Sequence, residues 1–209
     1  MIVIQAVLEV PIHDGFTLWP VADRAPFGFL PLSAALSPAE VGTAVLCLAV
    51  CNNIDPEQDT GPSGPTDPLG AFLHGLLTVD DLFAAGGLRV TDTTASVVLL
   101  PGCCEGLEDR DSWLDVLDGD GQASFGHDPS PFAERYGDTV RLTVDEGVDS
   151  PTMELPVTEL RRLLDGAERD LVGFLRLAAD WAARYLPDHA APVTAALTRA
   201  LAPPVPAQA

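Results

Sequence analysis

A chain of 209 residues that is 47% hydrophobic and 20% charged can bury a sizeable core and is not the composition of a disordered segment. Its formal net charge of −20 works against nucleic acid and anionic lipid, because both are bound through cationic side chains. No apolar run reaches the roughly 18 residues of a bilayer-spanning helix, and the first ten residues lack the basic start and small-residue cleavage site of a signal peptide, so a cytoplasmic location with no membrane partner is expected.

Residues 2–10, rich in Val and Ile, predict a first strand. Pro20, Pro26 and Pro31 break residues 16–36 into short strands or edge segments. A helix over 38–52 begins at Ser37-Pro38-Ala39-Glu40: the Ser caps, the Pro suits the first turn, and Glu40 reaches back to the cap amide. Residues 54–67, made largely of Pro, Gly, Asp and Thr, form the main loop. Asp67 and Pro68 open a short helix through Leu77, and Thr78-Val79-Asp80-Asp81 opens another that Gly86 and Gly87 end. Leu88–Val90 and Ala95–Leu100 then read as strands, the second a continuous apolar run expected at a sheet centre.

Pro101, Gly102, Cys103 and Cys104 turn the chain into a helix over about 107–117, with Trp113, Leu114 and Leu117 as its apolar side. Thr139–Val144 alternates as a half-buried strand that Thr152–Leu155 can pair with. The strongest pattern comes last. Leu160, Leu164, Ala167, Leu171, Phe174, Ala178, Trp181 and Tyr185 follow alternating steps of four and three, the period of a long amphipathic helix over 157–186. Leu163, Leu175 and Leu177 widen its stripe beyond a two-stranded coiled-coil seam, which favours packing within the domain. Asp165–Arg169 and Asp180–Arg184 are four-apart pairs on its outer side. A further helix over about 189–201 precedes a Pro-rich tail.

The expected fold is therefore α+β. A single domain over 1–202 has one mixed, largely antiparallel sheet, packed by the long C-terminal helix (157–186) and the N-terminal helix (38–52). Residues 203–209 form a flexible tail.

Several motifs invite a chemical reading. Asp118-Gly119-Asp120-Gly121 suggests a calcium loop, but with Gly121 at the sharp turn the first and twelfth ligands fall on Val116 and His127, and neither is the carboxylate required. Cys47 and Cys51 lie in an apolar helix pattern, Cys103 and Cys104 are adjacent, and no Cys-x-x-Cys spacing occurs, so no metal site and no cofactor is expected.

Cys104-Glu105-Gly106-Leu107-Glu108-Asp109-Arg110 has Cys-x5-Arg spacing between a strand and a helix. This segment resembles the phosphate-binding loop of protein tyrosine phosphatases. The resemblance implies Cys104 as nucleophile, Arg110 as the phosphate grip, and Asp128, beside Pro129, as general acid. It covers seven residues. It departs from the family at Asp111, where a Ser or Thr is usual, and it places Glu105, Glu108 and Asp109 where a dianion would sit. A broader thiol-hydrolase reading keeps Cys104 or Cys103 as nucleophile and His127 as base, oriented by Asp128; against it, His127-Asp128 in a Gly/Pro loop also reads as a plain turn.

The charge carries the preferred reading. Residues 105–149 hold 13 acidic side chains against 3 Arg, and residues 53–81 hold six acids and no base. Acid gathered in loop-rich segments attracts a basic protein, although solubility alone also explains it. The expectation is a non-enzymatic binding protein, like an immunity protein or small inhibitor, that meets a basic partner through Asp109, Asp111, Asp115, Asp118 and Asp120. A thiol-dependent or phosphatase-like enzyme is the alternative.

Overall fold

The computed structural model describes residues 1–54, 67–147 and 149–202, so the main loop lies largely, and the tail wholly, outside the described residues. The class is α+β, with five α-helices and two four-stranded antiparallel sheets among the described residues, where the sequence suggested one sheet. Two compact units are formed, one from residues 1–8 and 85–170, the other from residues 9–84 and 171–209.

In the first unit, β1 (Ile2–Glu9) runs antiparallel to β3 (Gly86–Asp92), with Ile4 opposite Val90 and Leu8 opposite Gly86. Gly86 has φ of 149°, and a Cβ there would meet the Val7 carbonyl oxygen at 2.0 Å. Only glycine permits that approach. The glycines that were expected to stop a helix instead begin a strand. β4 (Val97–Leu99) pairs with β3 at the sheet edge, and Val98 is exposed, so the apolar run is not a central strand. A three-residue edge strand needs only its inward side chain, Leu99, to be buried.

The second sheet is a meander. β5 (Gln122–Ser124), β6 (Phe132–Tyr136), β7 (Thr139–Thr143) and β8 (Thr152–Pro156) lie side by side in chain order. β7 and β8 pair as the alternation predicted, with Val140 opposite Leu155 and Leu142 opposite Met153, all four buried. The helix expected over about 107–117 divides into a 3-10 turn, Leu107–Asp109, and α3 (Ser112–Asp118). Trp113, Val116 and Leu117 are buried on α3 and Leu114 is exposed.

In the second unit, β2 (Phe29–Pro31) is the one strand formed by residues 16–36 among the described residues. α1 (Pro38–Cys51) starts with the capping box read from the sequence: the Glu40 amide donates to Ser37 Oγ at 3.3 Å and the Ser37 amide to Glu40 Oε2 at 2.9 Å. Every residue from Val41 to Ala49 is buried, so this helix is apolar all round rather than on one face. α2 (Pro68–Thr78) is capped by Asp67 and packs with α1. The helix expected after Thr78 is absent. The Asn52 side chain donates to Phe83 C=O and accepts from Phe83 N–H at 2.8 and 2.9 Å, which holds that stretch extended. Phe16, Trp19, Phe72 and Trp181 form an aromatic cluster with ring centroids 4.8–6.0 Å apart.

α4 (Val157–Tyr185) is one continuous helix. Seven of the eight periodic positions are buried and Tyr185 is half-buried. Among the described residues its ion pairs are Glu159–Arg162, Glu168–Arg110 and Arg161–Asp118, in place of the four-apart pairs expected. α5 (Ala190–Leu201) follows a short 3-10 turn at Pro187–His189. Among the described residues, no helix is long and apolar enough to cross a membrane.

Candidate functional site

The residues with chemical potential converge at one place in the first unit. After β4, Gly102 donates its amide to the Phe125 carbonyl at 2.8 Å, Cys103 donates to the His127 carbonyl at 2.5 Å, and His127 donates back to the Cys103 carbonyl at 3.2 Å. This antiparallel bridge joins segments 24 positions apart. Glycine makes it possible. A Cβ on Gly102 would meet Pro129 O at 2.3 Å and His127 N at 2.5 Å, and one on Gly126 would meet Cys103 O at 2.8 Å.

Immediately after the bridge on each side, a non-glycine residue takes a left-handed conformation: Cys104 at φ 64° and Asp128 at φ 51°. In an extended strand successive side chains point to opposite faces. The left-handed turn at Cys104 breaks that alternation and brings the Cys103 and Cys104 sulfurs to 3.5 Å. A His127 ring nitrogen and both sulfurs all lie within 4.8 Å of one another, and all three residues are exposed. Asp128 Oδ2 is 3.4 Å from His127 Nδ1.

Phe125, whose carbonyl accepts from Gly102, belongs to a buried aromatic pair. Trp113 and Phe125 are both buried and stack at 4.0 Å with an interplanar angle of 11°. Pro101 and Leu107, on either side of the cysteines in sequence, are buried too. On the other side of His127, the Ser130 amide donates to Asp145 Oδ1 at 2.8 Å and the Phe125 amide to the Pro131 carbonyl at 3.0 Å. Residues 125–131 are thus tied down at both ends.

The structure brings Cys103, Cys104, His127 and Asp128 together and gives Arg110 other work. Arg110 is 5% exposed, donates from Nε to Glu168 Oε1 at 2.7 Å, and from Nη1 to the Leu107 carbonyl at 2.6 Å. A guanidinium already neutralised by a carboxylate below the surface offers little to a solvent-borne phosphate dianion. Cys104 precedes a 3-10 turn rather than the first turn of an α-helix. Glu105, partly buried and next to Asp109 and Glu108, has its carboxyl pushed up to about 7, chiefly by burial and then by those two charges.

The five aspartates proposed for partner binding are all exposed. Asp111, Asp115 and Asp118 recur at steps of four and three and so share one face of α3. Arg161 donates to Asp118 at 2.6 Å and holds its carboxyl below the usual range. Asp109, Asp111, Asp115 and Asp120 form no ion pair among the described residues. The C-terminal end of α3 is secured by Arg135, which donates to the Leu117 carbonyl, and by Gly119 and Gly121, whose amides both donate to the Asp115 carbonyl.

The sequence named His127 and the two cysteines as candidate partners, but the backbone bridge that brings Cys103 to His127 has little local trace. Gly102 and Gly126, each one residue before a bridge partner, are its local trace, but glycines also mark ordinary turns. A concavity in the other unit is lined by Val41, Leu177, Trp181 and Tyr185, with Asp180 and Arg184 also lining it. Its volume of about 170 Å³ falls short of the about 300–1,000 Å³ usual for ligand pockets. No family model, curated protein or solved structure matches the chain.

Proposed function

We propose that this chain is an intracellular binding protein that masks a basic protein partner, in the manner of an immunity protein or small inhibitor, with the acidic surface around α3 as its contact. One observation carries the reading. Asp109, Asp111, Asp115 and Asp120 are exposed and form no ion pair among the described residues, on a segment anchored by the buried Trp113–Phe125 stack and at its end by Arg135. Charges held in place by their backbone lose little freedom on binding, and their unneutralised field steers a cationic partner.

Position, rather than total charge, is what the proposal commits to. Both units are acidic: the first carries 19 acidic side chains and 7 Arg, the second 12 and 4. The test therefore compares two variants of equal charge. One converts Asp109, Asp111, Asp115 and Asp120 to Asn; the other converts the exposed Asp14, Asp23, Asp80 and Asp81. Immobilised protein is offered native lysate at about 0.05 M and about 0.5 M salt, which spans strong and weak screening. The expected result is a basic protein retained by wild type and the second variant at low salt, released at high salt, and missed by the first variant. Retention that is equal for both variants, or a retained protein with no positive surface, ends the proposal.

A further inference from the structure

We infer that Cys103, Cys104 and His127 form a binding site for a zinc-class divalent cation, independent of the acidic contact surface. The donor set is two thiols and one imidazole, the borderline-soft combination that selects zinc over oxygen-seeking magnesium or calcium. Zinc bonds thiolate at about 2.3 Å, which sets the sulfur–sulfur edge of a regular tetrahedron at about 3.8 Å; the two sulfurs already stand 3.5 Å apart. All three donor atoms lie within 4.8 Å, so small side-chain rotations close the triangle. Water or an incoming donor would supply the fourth ligand of a tetrahedral site.

Backbone geometry argues against coincidence. Adjacent cysteines meet here only because Cys104 is left-handed, a conformation that costs a non-glycine residue roughly 1–2 kcal/mol. Two glycines in close backbone contact, Gly102 and Gly126, put the His127 strand against the cysteine turn. Asp128 stands at His127 Nδ1, the kind of partner that a metal-bound imidazole ordinarily has: a carboxylate that takes the ring N–H, sets the tautomer and leaves the other nitrogen for the ion. Binding would displace the thiol protons to solvent as the two sulfur–metal bonds form, with no change of oxidation state.

The probe is Co²⁺, which reports its own ligands. Reduced, metal-free, full-length protein is titrated anaerobically with CoCl₂, followed by displacement with ZnCl₂. Expected are one Co²⁺ per chain, intense tetrahedral d–d bands and a thiolate-to-cobalt charge-transfer band, all abolished by zinc. Cys103→Ser, Cys104→Ser and His127→Gln should each weaken binding by at least about 100-fold, more than the about 10-fold expected of Asp128→Asn acting through the ring. Cys51→Ser should change nothing. All replaced side chains are exposed, so far-UV circular dichroism should be unchanged throughout. Weak octahedral bands without charge transfer, or cobalt uptake unaltered in both Cys103→Ser and Cys104→Ser, would mean that surface carboxylates alone collect the ion and would overturn the site.

Discussion

Cys47 and Cys51 sit four residues apart on α1, whereas Cys103 and Cys104 sit side by side after β4, and the two pairs have different fates. Cys47 is 1% exposed, inside a helix buried on every side, and burial pushes its thiol far up. It serves as a small apolar side chain. Cys103 and Cys104 are exposed, drawn together by a left-handed turn and met by an imidazole from a distant segment. All four are thiols. Helical spacing alone, the feature that makes the first pair look like half a metal site, does not decide what a thiol does. Burial and the arrival of a third ligand decide it.

The largest expected effect tests the aromatic stack whose Phe125 carbonyl accepts from Gly102 beside the second pair. Trp113→Ala removes half of the buried Trp113–Phe125 stack and should cost about 3–5 kcal/mol, read from urea unfolding; a loss below about 1 kcal/mol would mean the stack contributes little to this unit's core. Gly102→Ala comes next, at about 1–3 kcal/mol, since its Cβ would press on backbone atoms that have no side-chain freedom to yield. Gly147→Ala, with nothing within 4 Å, should leave stability unchanged and serves as its control.

Cys47→Ser sharpens the contrast from the other side. A hydroxyl in that apolar setting should cost about 1–3 kcal/mol, while Cys51→Ser, four residues along the same helix and exposed, should stay within about 0.5 kcal/mol. Native-state labelling with iodoacetamide should modify Cys104 at least about 1,000-fold faster than Cys47, which becomes available only when the protein opens. Equal rates would dissolve the distinction between the pairs.

Those contrasts follow how legible each region was. Ser37, Pro38 and Glu40 announce α1 because capping is settled within four residues. The periodic apolar positions announce α4 because a helix repeats its own geometry. β4 misled because an apolar run does not say whether a second neighbour exists, and Gly86-Gly87 misled because a helix stop and a close strand crossing both ask for glycine. β5 and β6, short and partly exposed, left no run to read. Asp109, Asp111, Asp115, Asp118 and Asp120 are exposed, as charge and burial rarely coincide, but Asp115 and Asp118 lie on α3 rather than on a connecting loop, and Asp55, Glu57 and Asp59 fall outside the described residues. The Cys103–His127 bridge was out of reach, because partners 24 positions apart share no local signal.

The smallest effect concerns Glu105, which follows the cysteine turn and belongs to neither pair. Its carboxyl is pushed up to about 7 in the folded protein by burial and by Asp109 and Glu108, above the 4.5 of an ordinary glutamate. Between those two values the folded state holds more protons at this position than the unfolded chain does. Stability therefore falls as pH rises through that window, the reverse of a salt-bridged carboxylate. Glu105→Gln removes the burden of a partly buried charge beside two others, so the variant should gain stability over wild type at pH about 8 and lose that advantage at pH about 4. Paired urea titrations at the two pH values check this. A wild-type advantage at pH about 8 would show that the charged carboxylate is welcomed by a cation near the turn, and the acidic surface would then be less uniform than its exposed aspartates suggest.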